Sequence, residues 1–192
     1  MIHRDHVALI RKAIGKSGGV WADFGSGDGA FTVALRDLAG PEVEIYSVDK
    51  DLGRLKNQKE AFEKMFDFHP HPNLLPSREK ENMDKIQFLH ADFTKPLDLP
   101  HLDGILMANS LHYVVDQVPF LRFIKRYLKP SGKLVLVEYN TDSGNRWVPY
   151  PLSFSTFQEL TSKAGFHDPQ LLATIPSSFL QEMYAAVVLA GE

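Results

Sequence analysis

Acidic residues and glycines at regular spacing make one stretch near the start of this 192-residue chain the most informative. Asp23 ends a short apolar run, and glycines follow at positions 25, 27 and 29. Glycine reaches positive φ angles and lets the backbone approach a ligand, while the first N–H groups of a following helix offer partial positive charge. A buried strand, this turn and a helix together predict a cofactor-binding site.

The turn satisfies two binding patterns. Residues 25–30 fit G-x-G-x-x-G/A, which cradles a pyrophosphate in dinucleotide-binding folds. Counted from Asp23, the stretch also reads D-x-G-x-G-x-G and resembles motif I of class I S-adenosylmethionine-dependent methyltransferases. The carboxylates of Asp23 and Asp28 would repel a pyrophosphate but suit an ammonium and a sulfonium, so they favour the second pattern. Cofactor contacts are expected from Asp23, Phe24, Gly25, Ser26, Gly27, Asp28 and Gly29.

Two further strand ends carry residues suited to a nucleoside. Asp49, beside Lys50, follows the glycine turn by about 20 residues, the spacing of an acid that binds ribose hydroxyls. NAD-binding proteins use the same arrangement, so this residue leaves both alternatives open. The run Ala91, Asp92 and Phe93 resembles the methyltransferase motif that holds adenine. The resemblance implies that the aspartate accepts a hydrogen bond from the adenine amino group and that the phenylalanine packs on the ring.

Candidate catalytic residues follow the fourth predicted strand. By the family resemblance, Asn109 and Ser110 line the cofactor and substrate clefts. His112 is the best candidate for a general base, because histidine titrates near neutral pH; Tyr113 and Tyr139 are expected to orient the substrate. The chain lacks the Asn/Asp-Pro-Pro-Tyr/Phe signature of enzymes that methylate planar amino nitrogens. We therefore expect an O, N or C acceptor on a small molecule.

Residues 128–138 read Leu-Lys-Pro-Ser-Gly-Lys-Leu-Val-Leu-Val-Glu, which is typical of class I methyltransferases and argues against a dehydrogenase. The fifth strand is predicted to begin at Lys133, after the glycine turn, and to end at Tyr139. The resemblance covers about residues 20–190. It implies one doubly wound, Rossmann-like α/β domain, with a seven-stranded sheet of order 3-2-1-4-5-7-6 that is parallel except for one antiparallel strand. It also implies S-adenosyl-L-methionine as cofactor and S-adenosyl-L-homocysteine as product.

Around this single domain, spanning residues 1–192, we expect three additions. These are an N-terminal helix within residues 1–19, an exposed insertion at 67–85 and a substrate-facing loop at 140–153. Asp5 is predicted to cap the first helix, which would run to Ile14, and Ser155 to cap the helix at 156–164. Periodicity also predicts a helix at 51–66 whose apolar stripe contains Leu52, Leu55, Lys59, Phe62 and Phe66.

Composition excludes several classes of function. The formal net charge is −3, which argues against a constitutive nucleic-acid binder, and there are no cysteines for disulfides or thiolate chemistry. No apolar run could span a bilayer and the N-terminus shows no signal-peptide core, so we expect a cytoplasmic protein without a membrane partner. The histidine pairs at 3/6 and 69/71 lack further ligands, and no metal site is expected. The sequence leaves open the oligomeric state, an RNA or protein acceptor, and a non-catalytic S-adenosylmethionine-binding module that acts through a partner.

Overall fold

A computed structural model describes residues 1–15, 18–67 and 85–191. The helices are α1 (His3–Ile10), α2 (Ala30–Ala39), α3 (Leu52–Asp67), α4 (Gln117–Lys125) and α5 (Phe154–Lys163), with a 3₁₀ turn at Leu111–Tyr113. The strands are β1 (Val20–Phe24), β2 (Glu44–Asp49), β3 (Ile86–His90), β4 (Leu102–Ala108), β5 (Leu128–Tyr139), β6 (His167–Ser177) and β7 (Gln181–Leu189).

The strands form one sheet in the order β3-β2-β1-β4-β5-β7-β6, which confirms the predicted topology. Strands β1 to β5 pair in parallel, and β7 runs antiparallel to β5 and to β6. The carboxyl ends of the parallel strands therefore lie at one edge of the sheet, where ligands bind in open α/β folds. The turn between β6 and β7 reaches the same edge, because Tyr139 at the end of β5 pairs with Met183 near the start of β7.

Both faces of the sheet are covered, and this explains the nearly continuous apolar runs of its central strands. On one face, Phe24 packs in a core with Phe120 of α4 and Phe157 of α5. On the other face, Trp21 packs in a second core to which α1, α2 and α3 contribute. Burial on both faces fixes the central strands, so their carboxyl ends give the site a rigid base.

The first helix is shorter than predicted. It begins at His3 and ends at Ile10, and Asp5 lies in its first turn instead of capping it. The Asp5 carboxylate accepts a hydrogen bond from the Ile2 N–H at 3.0 Å, which satisfies a free helix donor from inside the helix. Ala13 and Ile14 are buried beyond the helix end, so they are apolar because they pack in the core and not because they continue the helix.

Two other local predictions are corrected. Ser153, not Ser155, caps α5, because its Oγ accepts a hydrogen bond from the Thr156 N–H at 3.2 Å. Strand β5 begins at Leu128, five residues before the expected Lys133, since the strand pairs with β4 on both sides of a register shift.

The predicted stripe on α3 is only partly right. Leu55 and Phe62 are buried, whereas Leu52 and Lys59 are exposed and Gln58 lies buried between the two apolar residues. The buried face of the helix therefore includes Gln58, a polar residue that the predicted apolar stripe did not contain. The expected insertion at 67–85, with its histidines at 69 and 71, falls almost entirely outside the described residues. Within the residues that the structure describes, no helix is long and apolar enough to cross a bilayer.

Candidate active site

The glycine turn is as tight as the sequence predicted. Gly25, Gly27 and Gly29 have φ angles of 79°, 56° and 85°, a region that residues with a Cβ rarely adopt. The N–H groups of Gly25 and Ser26 donate to the Val48 carbonyl at 2.8 and 3.1 Å, which ties the turn to β2. A Cβ on Gly25 would lie 2.5 Å from the Cβ of Ser110. The turn between the ends of β1, β2 and β4, called the cradle below, thus has backbone without side chains at its three glycines.

Asp23 lies beneath this cradle and is almost completely buried. Its Oδ2 accepts a hydrogen bond from Thr32 Oγ1 at 2.6 Å, while Oδ1 is buried without a hydrogen-bond partner among the described residues. Burial raises the pKa of Asp23 to about 7; the Thr32 bond opposes this rise and the charge of Asp49 adds to it. A buried carboxylate with a free oxygen is a fitting partner for a cation.

Asp49 closes the other side of the turn. Its Oδ2 accepts from the Gly27 N–H and its Oδ1 from the Asp51 N–H, both at 2.8 Å. Each carboxylate oxygen keeps a further lone pair for a hydroxyl donor. Lys50 is exposed beside it, and its carbonyl lies 3.0 Å from His90 Nε2.

The expected adenine residues border the same turn. Asp92 Oδ1 accepts from the N–H and the hydroxyl of Thr94 at 2.9 and 2.7 Å. Burial raises the pKa of Asp92, but the Thr94 hydrogen bonds and nearby lysines outweigh this, so the pKa is lowered overall. Phe93 lies parallel to Phe24 with ring centroids 5.9 Å apart, and a Cβ on Gly25 would lie 3.3 Å from its ring. Ala91 joins this strand end to β2, as its N–H donates to the carbonyl of the Asp49 residue.

Asn109 and Ser110 form the wall contributed by β4. Ser110 Oγ donates to the Phe24 carbonyl at 2.6 Å, which holds this segment against the end of β1. Asn109 has a φ of 54°, and its Oδ1 is a second buried acceptor without a partner in the described part of the chain. A non-glycine residue in this region stores strain, and such strain clusters at ligand sites.

His112 forms a buried pair with Glu138, a residue that the sequence argument did not assign to the site. The His112 Nδ1 lies 2.8 Å from Oε2 and 3.1 Å from Oε1 of Glu138, and both side chains are almost inaccessible. The His112 backbone N–H also points to the carboxylate, at 3.2 Å. With a carboxylate at Nδ1, this nitrogen carries the proton of a neutral ring and Nε2 is left as an acceptor.

Aromatic rings surround this histidine. The ring centroids of Tyr113 and Tyr139 lie 4.3 and 6.3 Å from that of His112. Phe179, from the β6–β7 turn, packs edge-on against Tyr139 at 5.8 Å. Burial, and then the charges of Glu138 and Tyr113, raise the pKa of Tyr139, so its phenol stays a hydrogen-bond donor at neutral pH. Tyr113 and Phe179 are each half exposed or more, which leaves aromatic surface for a ligand.

The loop at 140–153 is held against the same segment. The Tyr150 N–H donates to the His112 carbonyl at 3.0 Å, and Gln117 Nε2 donates to the Tyr150 carbonyl at 2.9 Å. Val148 is buried, whereas Trp147 is 68% exposed with Arg146 beside its ring. Trp147 and Tyr150, the aromatic residues of this loop, are therefore exposed and do not cover the core.

The structure brings together most, but not all, of the predicted residues. Asp28 is exposed and faces Arg54 at 3.5 Å, and the Phe24 side chain is fully buried in the core, so only its backbone borders the site. Sequence reasoning missed Glu138, although a charged residue at the end of a buried strand is a usable signal. It also missed Gln58 and Phe179, whose positions depend on helix rotation and on the β6–β7 turn.

Comparisons with known proteins agree with this geometry. A family model described as a methyltransferase domain matches residues 3–182. The ubiquinone/menaquinone biosynthesis C-methyltransferase UbiE of Pseudomonas aeruginosa (strain LESB58) is 28% identical over 131 residues, which are 68% of this chain and 45% of that protein. This chain therefore spans less than half the length of that relative.

Solved structures share the fold. A SAM-dependent methyltransferase from Aquifex aeolicus superposes with a TM-score of 0.70 at 18% identity, covering 97% of this chain and 89% of that chain. Human N-acetylserotonin methyltransferase, solved in complex with SAM, gives a TM-score of 0.65 at 20% identity, covering 97% and 52%. At such identities the likeness establishes the fold alone.

Proposed function

This chain belongs to the methyltransferase domain family, and we propose that it transfers a methyl group from S-adenosylmethionine to an O, N or C atom of a small molecule. The predicted family and fold are confirmed; the activity, the cofactor and the acceptor are inferences for this chain. The observation that carries the proposal is the buried His112–Glu138 pair, two residues beyond the Ser110 contact with the glycine turn.

The residues at the turn fit S-adenosylmethionine. Asp23 Oδ1 and Asn109 Oδ1 are two buried acceptors without partners in the described ranges, and they suit an ammonium group. Asp49 offers free lone pairs to ribose hydroxyls, and the ionised Asp92 beside Phe93 suits an adenine amino group and its ring. A pyrophosphate would meet the same carboxylates unfavourably.

When bound, S-adenosylmethionine supplies a methyl group on a positively charged sulfur, which is a good leaving group. The chain then has to orient the acceptor and exclude water. His112 Nε2 takes a proton from the acceptor where one must be lost, and Glu138 stabilises the resulting imidazolium. The hydroxyls and rings of Tyr113 and Tyr139 orient the acceptor beside this nitrogen.

The exposed aromatic rings favour a small-molecule acceptor with an apolar body. Tyr113 packs on His112 and Phe179 packs on Tyr139, and both rings leave aromatic surface exposed. Aromatic surface binds flat, apolar groups by stacking and burial. The comparison with UbiE, a C-methyltransferase of ubiquinone and menaquinone biosynthesis by its name, is consistent with such an acceptor. The expected cytoplasmic location stays a prediction.

Isothermal titration calorimetry with S-adenosylmethionine, S-adenosylhomocysteine and NAD tests the cofactor. We expect binding of the two sulfur compounds and none of NAD. Binding of NAD alone would overturn the proposal and return the turn to the dinucleotide pattern. Binding of the sulfur compounds without transfer to any acceptor would favour a module that works through a partner.

Transfer of an isotope-labelled methyl group tests the reaction. A panel of hydroxylated aromatic compounds, RNA and protein fractions would be offered to the wild-type protein and to His112→Asn. We expect label in a small molecule, and a rate about 100-fold or more lower for His112→Asn. Label that appears only in RNA or protein would overturn the proposed acceptor class.

A further inference from the structure

Gln58 is a fully buried polar side chain on α3, directly behind the glycine turn. A Cβ on Gly29 would lie 2.5 Å from Gln58 Cγ, so the turn and this side chain are in close contact. A buried amide is unfavourable unless its hydrogen bonds are satisfied. An apolar side chain would fill this place without needing hydrogen bonds, so packing alone does not account for an amide here.

Both ends of the Gln58 amide are hydrogen-bonded. Its Oε1 accepts from Ser47 Oγ at 3.0 Å and from Ser26 Oγ at 3.3 Å, and its Nε2 donates to Thr32 Oγ1 at 2.8 Å. These partners lie on β2, in the glycine turn and on α2. The amide thereby connects three elements that surround the cofactor cradle.

The chain of hydrogen bonds has a defined direction toward Asp23. An amide NH₂ can only donate, and a threonine hydroxyl carries one hydrogen. Since Thr32 Oγ1 accepts from Gln58, its own hydrogen is directed to Asp23 Oδ2, 2.6 Å away. Oδ2 is thus held as an acceptor, and Oδ1, a buried atom that has no partner among the described residues, keeps its lone pairs for a further partner.

We propose that Gln58 is a positioning residue that acts through Thr32 to present the Asp23 Oδ1 atom to the ammonium group of the cofactor. This inference rests on the proposed function, because it concerns a ligand with an ammonium group. Gln58 has no need to touch the cofactor. Its effect is to keep the Thr32 hydrogen on Asp23 and so fix which carboxylate oxygen is free.

Two ligands that differ in the ammonium end separate this role from a merely structural one. S-adenosylhomocysteine carries the amino-acid end, whereas 5′-methylthioadenosine keeps adenine and ribose but lacks it. By calorimetry, we expect Gln58→Leu to weaken S-adenosylhomocysteine binding about tenfold, because a hydrogen bond to a charged group is misaligned. Binding of 5′-methylthioadenosine should change less than about twofold.

Matched variants complete the test. Asn57→Leu, at an exposed neighbour on α3, should bind both ligands like the wild type. Thr32→Val should show the same selective loss of S-adenosylhomocysteine binding, whereas Thr32→Ser, which keeps the hydroxyl, should bind like the wild type. If Gln58→Leu does not fold, the two Thr32 variants test the proposal in its place. Equal losses for the two ligands, or no loss for either, would overturn the proposal. A wild-type protein that binds neither ligand would contradict the proposed function itself.

Discussion

At the scale of single residues, the site combines carboxylates in four different environments. Asp23 is buried with one free oxygen, Asp49 is tied to backbone N–H groups, and Asp92 is held by Thr94 at the surface. Glu138 is buried against His112. The same chemical group thus has different properties in each place, which is why we propose a cation, hydroxyls and an amino group as the partners of Asp23, Asp49 and Asp92, whereas Glu138 contacts the imidazole of His112.

The raised pKa of Asp23 predicts that cofactor binding depends on pH. Below about pH 7 the carboxyl of the free protein is protonated, and only the ionised form attracts an ammonium group. We expect the affinity for S-adenosylhomocysteine to fall about tenfold between pH 8 and pH 6, as the ionised fraction falls. Calorimetry across this range would show it. Asp23→Asn should bind weakly at every pH; a variant with the wild-type slope would contradict this assignment.

Glu138→Gln tests the role of the negative charge beside His112. The amide can donate to His112 Nδ1, which would move the ring proton to Nε2 and remove the base. We expect kcat to fall about 100-fold or more while the affinity for S-adenosylhomocysteine stays within about twofold. Glu182→Gln is the control, because Glu182 accepts a hydrogen bond from Asn140 on the neighbouring segment. Equal loss of kcat in both variants would argue against a specific pair.

At the scale of elements, the site is built where the five parallel strands end. The glycine turn follows β1, Asp49 ends β2, Asp92 follows β3 and Asn109 follows β4. The segment after β4 brings His112 to Glu138 near the end of β5, and the loop at 140–153 follows β5. Parallel strands bring their carboxyl ends together whatever the separation along the chain, and this gives one site from distant residues.

Two glycines with positive φ angles allow steric crowding at the site to be separated from backbone strain. Gly25 and Gly40 have φ angles of 79° and 88°, but a Cβ on Gly25 would lie 2.5 Å from Ser110, whereas a Cβ on Gly40 would have open space. Both alanine variants carry a backbone penalty of about 1–3 kcal/mol; Gly40, with a ψ of 179°, lies in a region that is almost exclusive to glycine. We therefore expect both variants to be less stable than the wild type by thermal unfolding, but only Gly25→Ala to lose cofactor binding, while Gly40→Ala binds normally. Loss of binding in both would point to global unfolding instead.

The loop at 140–153 is expected to contact the acceptor through Trp147. Because this side chain is exposed, Trp147→Ala should change stability by less than about 0.5 kcal/mol. We expect its KM for the acceptor to rise several-fold with the affinity for S-adenosylhomocysteine unchanged. Val148→Ala, at the buried neighbour, should cost about 1–3 kcal/mol in unfolding free energy without a selective rise in KM. An unchanged KM for Trp147→Ala would remove the loop from the acceptor site.

At the scale of the whole molecule, one sheet carries both the proposed cofactor site and the proposed acceptor site. A ligand that binds only the folded state stabilises all of it by mass action. At a concentration of 100 times its Kd, S-adenosylhomocysteine should add about 2.7 kcal/mol to the unfolding free energy. A chain of this size should then show a rise in Tm of several degrees in calorimetry or fluorescence. NAD at the same concentration is the control and should leave Tm unchanged.

The residues of the sequence identified the acidic positions at successive strand ends, and the family resemblance that they carry implied the sheet order that the structure confirms. These features are local or depend on chain order: glycines permit the turn, and Asp23, Asp49 and Asp92 each follow a recognisable apolar run. Parallel pairing then leaves one edge at which they meet. The prediction was weaker for element ends, as with Asp5 and Ser155, because caps depend on individual hydrogen bonds.

Only the tertiary structure decided which partners these residues meet. Ala108 pairs with Val137 in the sheet, and this register brings Glu138 to His112 across 26 positions of the chain. Gln58 reaches Thr32 because α3 is rotated by its packing, and Phe179 reaches Tyr139 through the β6–β7 turn. The register of two strands, the rotation of a helix and the position of a turn are set by the packing of many side chains together. They therefore cannot be predicted from the residue types along one segment.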